Sequence, residues 1–208
     1  MAIMKEQIKE YALSLYRDIP ATVYEGLLSV FCLGVVIIIA FWGFRNGWRK
    51  IAGLVLAEYV FLIHCSTVIF RTAADGNGHN FRPFWSYEAI ENGRSELIAE
   101  NVMNVVVFVP IGLLLGFFTQ KAQNTQKELW RTRIARIPLI IGTGLIISVT
   151  IEAMQYFFHR GFAEVDDVIH NTVGCILGYI LVKGSWFMVK CSCLGKRPDV
   201  EQRVKQID

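Results

Sequence analysis

Five apolar blocks of roughly twenty residues, about 23–44, 48–70, 98–118, 138–158 and 167–189, set what this chain can become. At about 1.5 Å per residue, a helix of that length matches the hydrocarbon thickness of a bilayer. In lipid, a helix also satisfies its own backbone polar groups within one segment. The expectation is therefore an all-α polytopic transmembrane helix bundle of about five spans; a four-span variant would lay the first block in the interface. With 53% hydrophobic residues and a mean hydropathy of +0.40, the chain is too apolar for an ordinary soluble domain. The net charge of +3 is small, and the 21 Lys and Arg stand beside the apolar blocks, so they read as orientation signals and not as a nucleic-acid surface.

Ahead of the first block, Lys5, Glu6, Lys9, Glu10, Arg17 and Asp18 surround Ile8, Tyr11, Ala12 and Leu15. That spacing predicts an N-terminal amphipathic interfacial helix over 1–21, then a membrane domain over 22–190 and a polar cytoplasmic tail over 191–208. The first block is free of charge after Glu25 and no small-residue cleavage site follows it, which predicts a retained, lipid-facing anchor. The five cysteines are odd in number, and Cys191 and Cys193 lack the second pair that a zinc site needs, so neither a disulfide framework nor a metal or other cofactor is expected. Gly112 and Gly116, like Gly174 and Gly178, repeat the four-residue spacing that lets helices approach closely.

Fourteen of the 21 basic residues fall in the first connection, in 120–137 and from Lys183 onward. The positive-inside rule then places those segments in the cytoplasm, the N-terminus and residues 71–97 and 159–166 outside, and the C-terminus inside. Helix rise now sets depth. His64, Asn104, Glu152 and Asn171 all fall roughly 6 to 9 Å below the outer boundary. Within each helix the polar residues share a face: Asn101 with Asn104, Glu152 with Gln155, Asp167 with Asn171, and His64 with Arg71, seven apart. Together they predict an outward polar pocket, with Arg160, Glu164 and Asp166 at its rim. Ionisable groups in lipid are costly unless they face one another, a cavity or the surface. The plainer reading treats Asn, Gln and His as interhelical glue and pairs Glu152 with Arg160 or His64. The aromatic loop 75–96 is long for a connector, and its Asn80, Arg82, Pro83, Phe84 and Trp85 are candidates for a lid over the pocket or for an interfacial belt.

Three motifs carry a family resemblance: NFRPF at 80–84, NVVVFVPIG at 104–112, and Glu152 with Gln155 followed by RGFAEVDDVIHNTVG at 160–174. With these the chain resembles the VanZ-like membrane proteins, over about residues 57–181. The resemblance implies a small polytopic bacterial membrane protein, linked in the family's namesake to reduced susceptibility to teicoplanin and related lipoglycopeptides.

Two classes of function suit the pocket. In the first, a lipid-linked envelope molecule or a lipoglycopeptide binds there, with Arg71 and Arg160 meeting phosphate or carboxylate while Asn104, Gln155 and Asn171 orient sugar or amide groups. In the second, Glu152 and Asp167 act as general acid and base on a lipid-linked cell-wall precursor. A divalent ion on His64, His159, His170 and Asp166 is a weaker variant of the second, because the ligands are mixed and irregularly spaced. A structural partner for another membrane protein is a third class, in which the glycine faces matter and the carboxylates do not.

Overall fold

The computed structural model describes residues 5–10, 13, 19–71, 78–118 and 135–194. Its elements, in chain order, are α1 (Ala21–His64), a wide turn of helix over Cys65–Ile69, β1 (His79–Asn80), α2 (Trp85–Glu91), α3 (Glu96–Phe118), α4 (Ile137–Phe158), β2 (Ala163–Glu164) and α5 (Val165–Leu194). Most of the expected 1–21 amphipathic segment and residues 195–208 of the tail lie outside the described residues, although 5–10 are helical.

The 44 residues of α1 are helical from Ala21 to His64, yet the chain doubles back within them. A Cβ placed on Gly34 would fall 2.6 Å from Leu54, and one on Gly47 would fall 2.7 Å from Ile38. Along a straight helix these pairs would lie about 30 Å and 13 Å apart. The chain therefore reverses between Ile38 and Gly47, and α1 is two antiparallel arms. Among the described residues, five segments are long and apolar enough to cross a membrane: the arms Ala21–Phe41 and Arg49–Ile69, then Glu96–Phe118, Ile137–Phe158 and Val165–Gly184. Leu28, Leu33, Val36 and Phe41 of the first arm are all exposed, as expected for side chains that face lipid.

The heart of the bundle is the contact between α3 and α5. A Cβ on Gly112 would collide with the Cys175 carbonyl, one on Gly174 with that of Val105 and one on Gly178 with that of Val109. The two helices thus meet backbone to backbone, where van der Waals packing is the main attraction available in lipid. Ile63, Phe108, Ile111, Ile140, Ile151, Cys175 and Tyr179 complete a buried cluster that draws in the second arm and α4. Inside α3, Pro110 withholds the N–H that would bond Val106, and the Tyr59 hydroxyl donates to the neighbouring Val107 carbonyl at 2.8 Å. At the C-terminal end of α3, Arg49 donates twice to the Phe118 carbonyl and Lys183 donates to that of Gly116 at 2.7 Å, so both cations sit at the negative end of the helix dipole.

At the opposite end, β1 and β2 add a short parallel pairing to the all-α bundle, with His79 beside Ala163 and Asn80 beside Glu164. This pairing fastens the aromatic loop to the connection between α4 and α5.

Candidate functional site

Four helices end around one cavity of ≈ 440 Å³, its open mouth included. The second arm contributes Ile63, Thr67 and Arg71; α3 contributes Asn104, Val107 and Phe108; α4 contributes Ile151, Glu152 and Gln155; and α5 contributes Asp167 and Asn171. Apolar residues wall the inner end and polar residues the rest.

The wide turn at Cys65–Ile69 determines which face of the second arm lines the cavity. The Phe70 N–H bonds the Cys65 carbonyl, five residues back, at 2.9 Å. Such a turn takes more residues than an ordinary helical turn and so rotates the face that follows it. Ile63, Thr67 and Arg71, spaced by four, thereby share the cavity. His64 does not reach it, and its Nδ1 pairs with the Val60 carbonyl of its own helix at 2.8 Å. The seven-residue spacing that aligned His64 with Arg71 holds only for a regular α-helix.

Most lining polar groups are already hydrogen-bonded, to one another or to groups just behind the wall. Asn104 Nδ2 donates to Asp167 at 2.7 Å, and Asn171 Nδ2 donates to the Ser148 hydroxyl at 2.8 Å. Glu152 Oε2 accepts the backbone N–H of Glu164 at 2.9 Å, and among the described residues it pairs with neither Arg160 nor His64. Gln155 Nε2 donates to the Thr67 carbonyl at 3.2 Å, while its Oε1 is buried without a donor among the described residues. Arg71 differs from the rest: among the described residues its guanidinium makes no ion pair and no hydrogen bond.

Three residues expected at the rim hold the structure together instead of lining the cavity. Arg160 Nη1 donates to the carbonyls of Ile69 and Arg71 at 3.1 and 2.7 Å, closing the end of the second arm. Its Nη1 is therefore committed to backbone carbonyls. Asp166 is fully buried and accepts the N–H groups of Phe84 and Ser86 and the Ser86 hydroxyl, which makes it the cap of α2 supplied from another element. Glu164 accepts the Trp85 indole N–H at 2.8 Å. Burial pushes its carboxyl up to about 7, against the lowering effect of that indole bond. Asn101 bonds the Ser86 hydroxyl at 3.1 Å and does not line the cavity.

The aromatic loop is thus latched to the rim of the bundle. Asn80 Oδ1 accepts the Arg82 N–H in a local turn, and Arg82 pairs with Glu88 on the surface. Phe84, after Pro83, adopts a left-handed conformation with φ 64° and starts α2. Trp85 packs near Phe162, and the Tyr87 hydroxyl pairs with His170 Nε2 at 2.9 Å. Sequence reasoning passed over Thr67, Ser148 and Ser86. Thr67 and Ser148 precede Arg71 and Glu152 by four residues, a same-face signal that was available; nothing local marks Ser86. Among the described residues, no group of three or more His, Cys, Asp or Glu side chains is arranged to hold a metal ion.

Comparison with known proteins agrees with the membrane-spanning architecture. A family model described as VanZ/LLP1 matches residues 29–188. The chain is similar to Protein VanZ of Enterococcus faecium, 34% identical over 79 residues, which is 38% of this chain and 41% of that relative. The match therefore spans less than half of the relative's length. No solved structure matches the chain.

Proposed function

The chain belongs to the VanZ/LLP1 family, and from that premise we propose that it is a multi-pass protein of the bacterial plasma membrane that binds a polar group of a lipid-linked or envelope molecule. The binding site is the four-helix cavity. Occupancy alters the cell envelope and, with it, susceptibility to teicoplanin-like glycopeptides and lipoglycopeptides. The observation that carries this reading is the unspent Arg71 guanidinium on the cavity wall, in a layer whose other charges are buried or bonded. Glu152 and Asp167 line the same cavity but neither bonds the guanidinium, so its N–H donors stand open to a ligand or water. The cavity opens outward in this reading, with the N-terminus outside and the C-terminus in the cytoplasm. Arg49 and Lys183 at the far end of α3 support that orientation through the positive-inside rule.

The test is expression of the chain in a glycopeptide-susceptible host, with Arg71→Ala, Glu152→Ala and Asp167→Ala made singly. Each should remove any change in teicoplanin susceptibility while membrane expression persists. Unchanged susceptibility in all three would sink the proposal. A second reading, an enzyme acting on a lipid-linked precursor, draws support from the two carboxyl groups, Glu152 and Asp167, contributed by two helices to the lining of one cavity. Incubation with labelled lipid-linked precursors separates the two: turnover favours the enzyme, and saturable binding without turnover favours the first reading.

A further inference from the structure

The cavity holds two unmet demands of opposite kind. Arg71 presents a fork of N–H donors with no acceptor among the described residues. Gln155, only 4% exposed, has committed its Nε2 to Thr67 and leaves Oε1 with no donor. A buried acceptor without a donor is unfavourable, so the pair favours a ligand that is anionic on one side and donates a proton on the other.

Few groups satisfy both. An ionised carboxylate or sulfate ester suits Arg71 but has nothing to donate to Gln155. A neutral carboxylic acid donates but brings no charge to Arg71. A phosphodiester carries the charge, yet its phosphate holds no proton. A phosphate monoester in its singly charged form does both, pairing two oxygens with the guanidinium and turning its P–OH toward Gln155. Glu152 and Asp167 in the same lining would oppose a second negative charge on the ligand, which favours the protonated form. Location agrees as well. Arg71 lies two residues past the end of the second membrane span, about 3 Å along a helix, at the level where lipid phosphates sit.

The backbone is shaped to keep Arg71 available. Gly161 has φ 106°, and a Cβ there would fall 2.8 Å from the Arg71 guanidinium carbon. Arg160 holds the Arg71 carbonyl at 2.7 Å. We infer that the cavity takes a phosphate monoester, with Arg71 binding its anionic oxygens, Gln155 Oε1 accepting its P–OH, and Arg160 and Gly161 as positioning residues. This rests on the proposal that the cavity is the binding site.

The experiment titrates the full chain, in phosphatidylcholine nanodiscs, with short-chain phosphatidic acid, short-chain phosphatidylglycerol and inorganic phosphate. Phosphatidic acid should bind saturably and more tightly than phosphatidylglycerol. Arg71→Gln and Gln155→Leu should each weaken it about tenfold or more. Gly161→Ala, strained at φ 106° and pressed against the Arg71 guanidinium, should lower the melting temperature and also weaken phosphatidic acid binding at a temperature where the variant is still folded; wild-type affinity in that folded variant would remove Gly161 from the positioning role. Binding of inorganic phosphate alone, dependent on Arg71, supports the chemistry and assigns a soluble source; a requirement for the acyl chains assigns a lipid headgroup. Equal binding of phosphatidylglycerol, no binding of any phosphate species, or wild-type binding by both Arg71→Gln and Gln155→Leu overturns the inference. Loss of the cellular phenotype in Arg71→Gln without any monoester binding overturns the phosphate class alone and leaves the cavity reading standing. Monoester binding with an unchanged phenotype supports the phosphate class and overturns the role in susceptibility.

Discussion

Replacing Asp166 by Ala tests how the aromatic loop is held on the bundle. The carboxylate is 1% exposed and accepts three hydrogen bonds from the start of α2: the N–H groups of Phe84 and Ser86, the latter at 2.9 Å, and the Ser86 hydroxyl. Alanine removes both acceptor oxygens, breaks the three hydrogen bonds and orphans two backbone amides. At about 1–3 kcal/mol for each orphaned donor, the loss is about 2–6 kcal/mol. The Trp85–Glu164 and Tyr87–His170 bonds remain, so the loss falls on local opening of the loop and not on the whole fold. Taking about 3 kcal/mol, the opening equilibrium rises on the order of 150-fold, since about 1.4 kcal/mol is tenfold. Hydrogen exchange read by mass spectrometry on the protein in nanodiscs should show the amides of Trp85–Glu91 exchanging about a hundred times faster. Protection in the middle of α3 and α5 should be unchanged. Asp166→Asn, which keeps one acceptor oxygen, should fall between the two. Unchanged exchange over Trp85–Glu91, or equal loss of protection in α3 and α5, would refute the latch.

Gly174→Ala and Gly178→Ala place a methyl group on the carbonyls of Val105 and Val109 and should each destabilise the protein by about 1–3 kcal/mol through overpacking, whereas Gly142→Ala, with nothing within 4 Å, should be near neutral; melting in detergent compares them. The Glu164 carboxyl, raised from 4.5 to about 7 by burial, binds more protons in the folded state than in the unfolded one between those values. Its contribution is full below pH 4.5 and is lost as pH rises through about 7, so loop protection corrected for intrinsic exchange should be greater at pH 5 than at pH 8, with the difference abolished by Glu164→Gln. The fold-back of α1 predicts that Gly34→Cys with Leu54→Cys, in a Cys32→Ser background, forms a disulfide on mild oxidation; an uncrosslinked pair would favour a straight helix.

Level along the helix depends on little beyond helix rise, and counting it brought together three of the four residues expected in one layer, His64 being the exception. Asn104, Glu152 and Asn171, placed at one level by counting from the ends of their apolar blocks, do line one cavity. Direction around the helix was less secure, because it accumulates rotation along the chain. One wide turn at Cys65–Ile69 rotates the end of the second arm, so that Thr67 and Arg71 face inward and His64 stays with Val60. Least legible was the spending of charge at the loops. Arg160 and Asp166 look like ligand-binding residues in a linear reading, yet the end of the second arm needs donors for its carbonyls and the start of α2 needs an acceptor for its amides. Those needs appear only once the two loops meet, and meeting them commits the Asp166 carboxylate and the Arg160 Nη1. Under the proposed function, the anion-binding role that sequence reasoning divided between Arg71 and Arg160 falls mainly to Arg71, which lines the cavity, whereas Arg160 does not and commits its Nη1 to two backbone carbonyls.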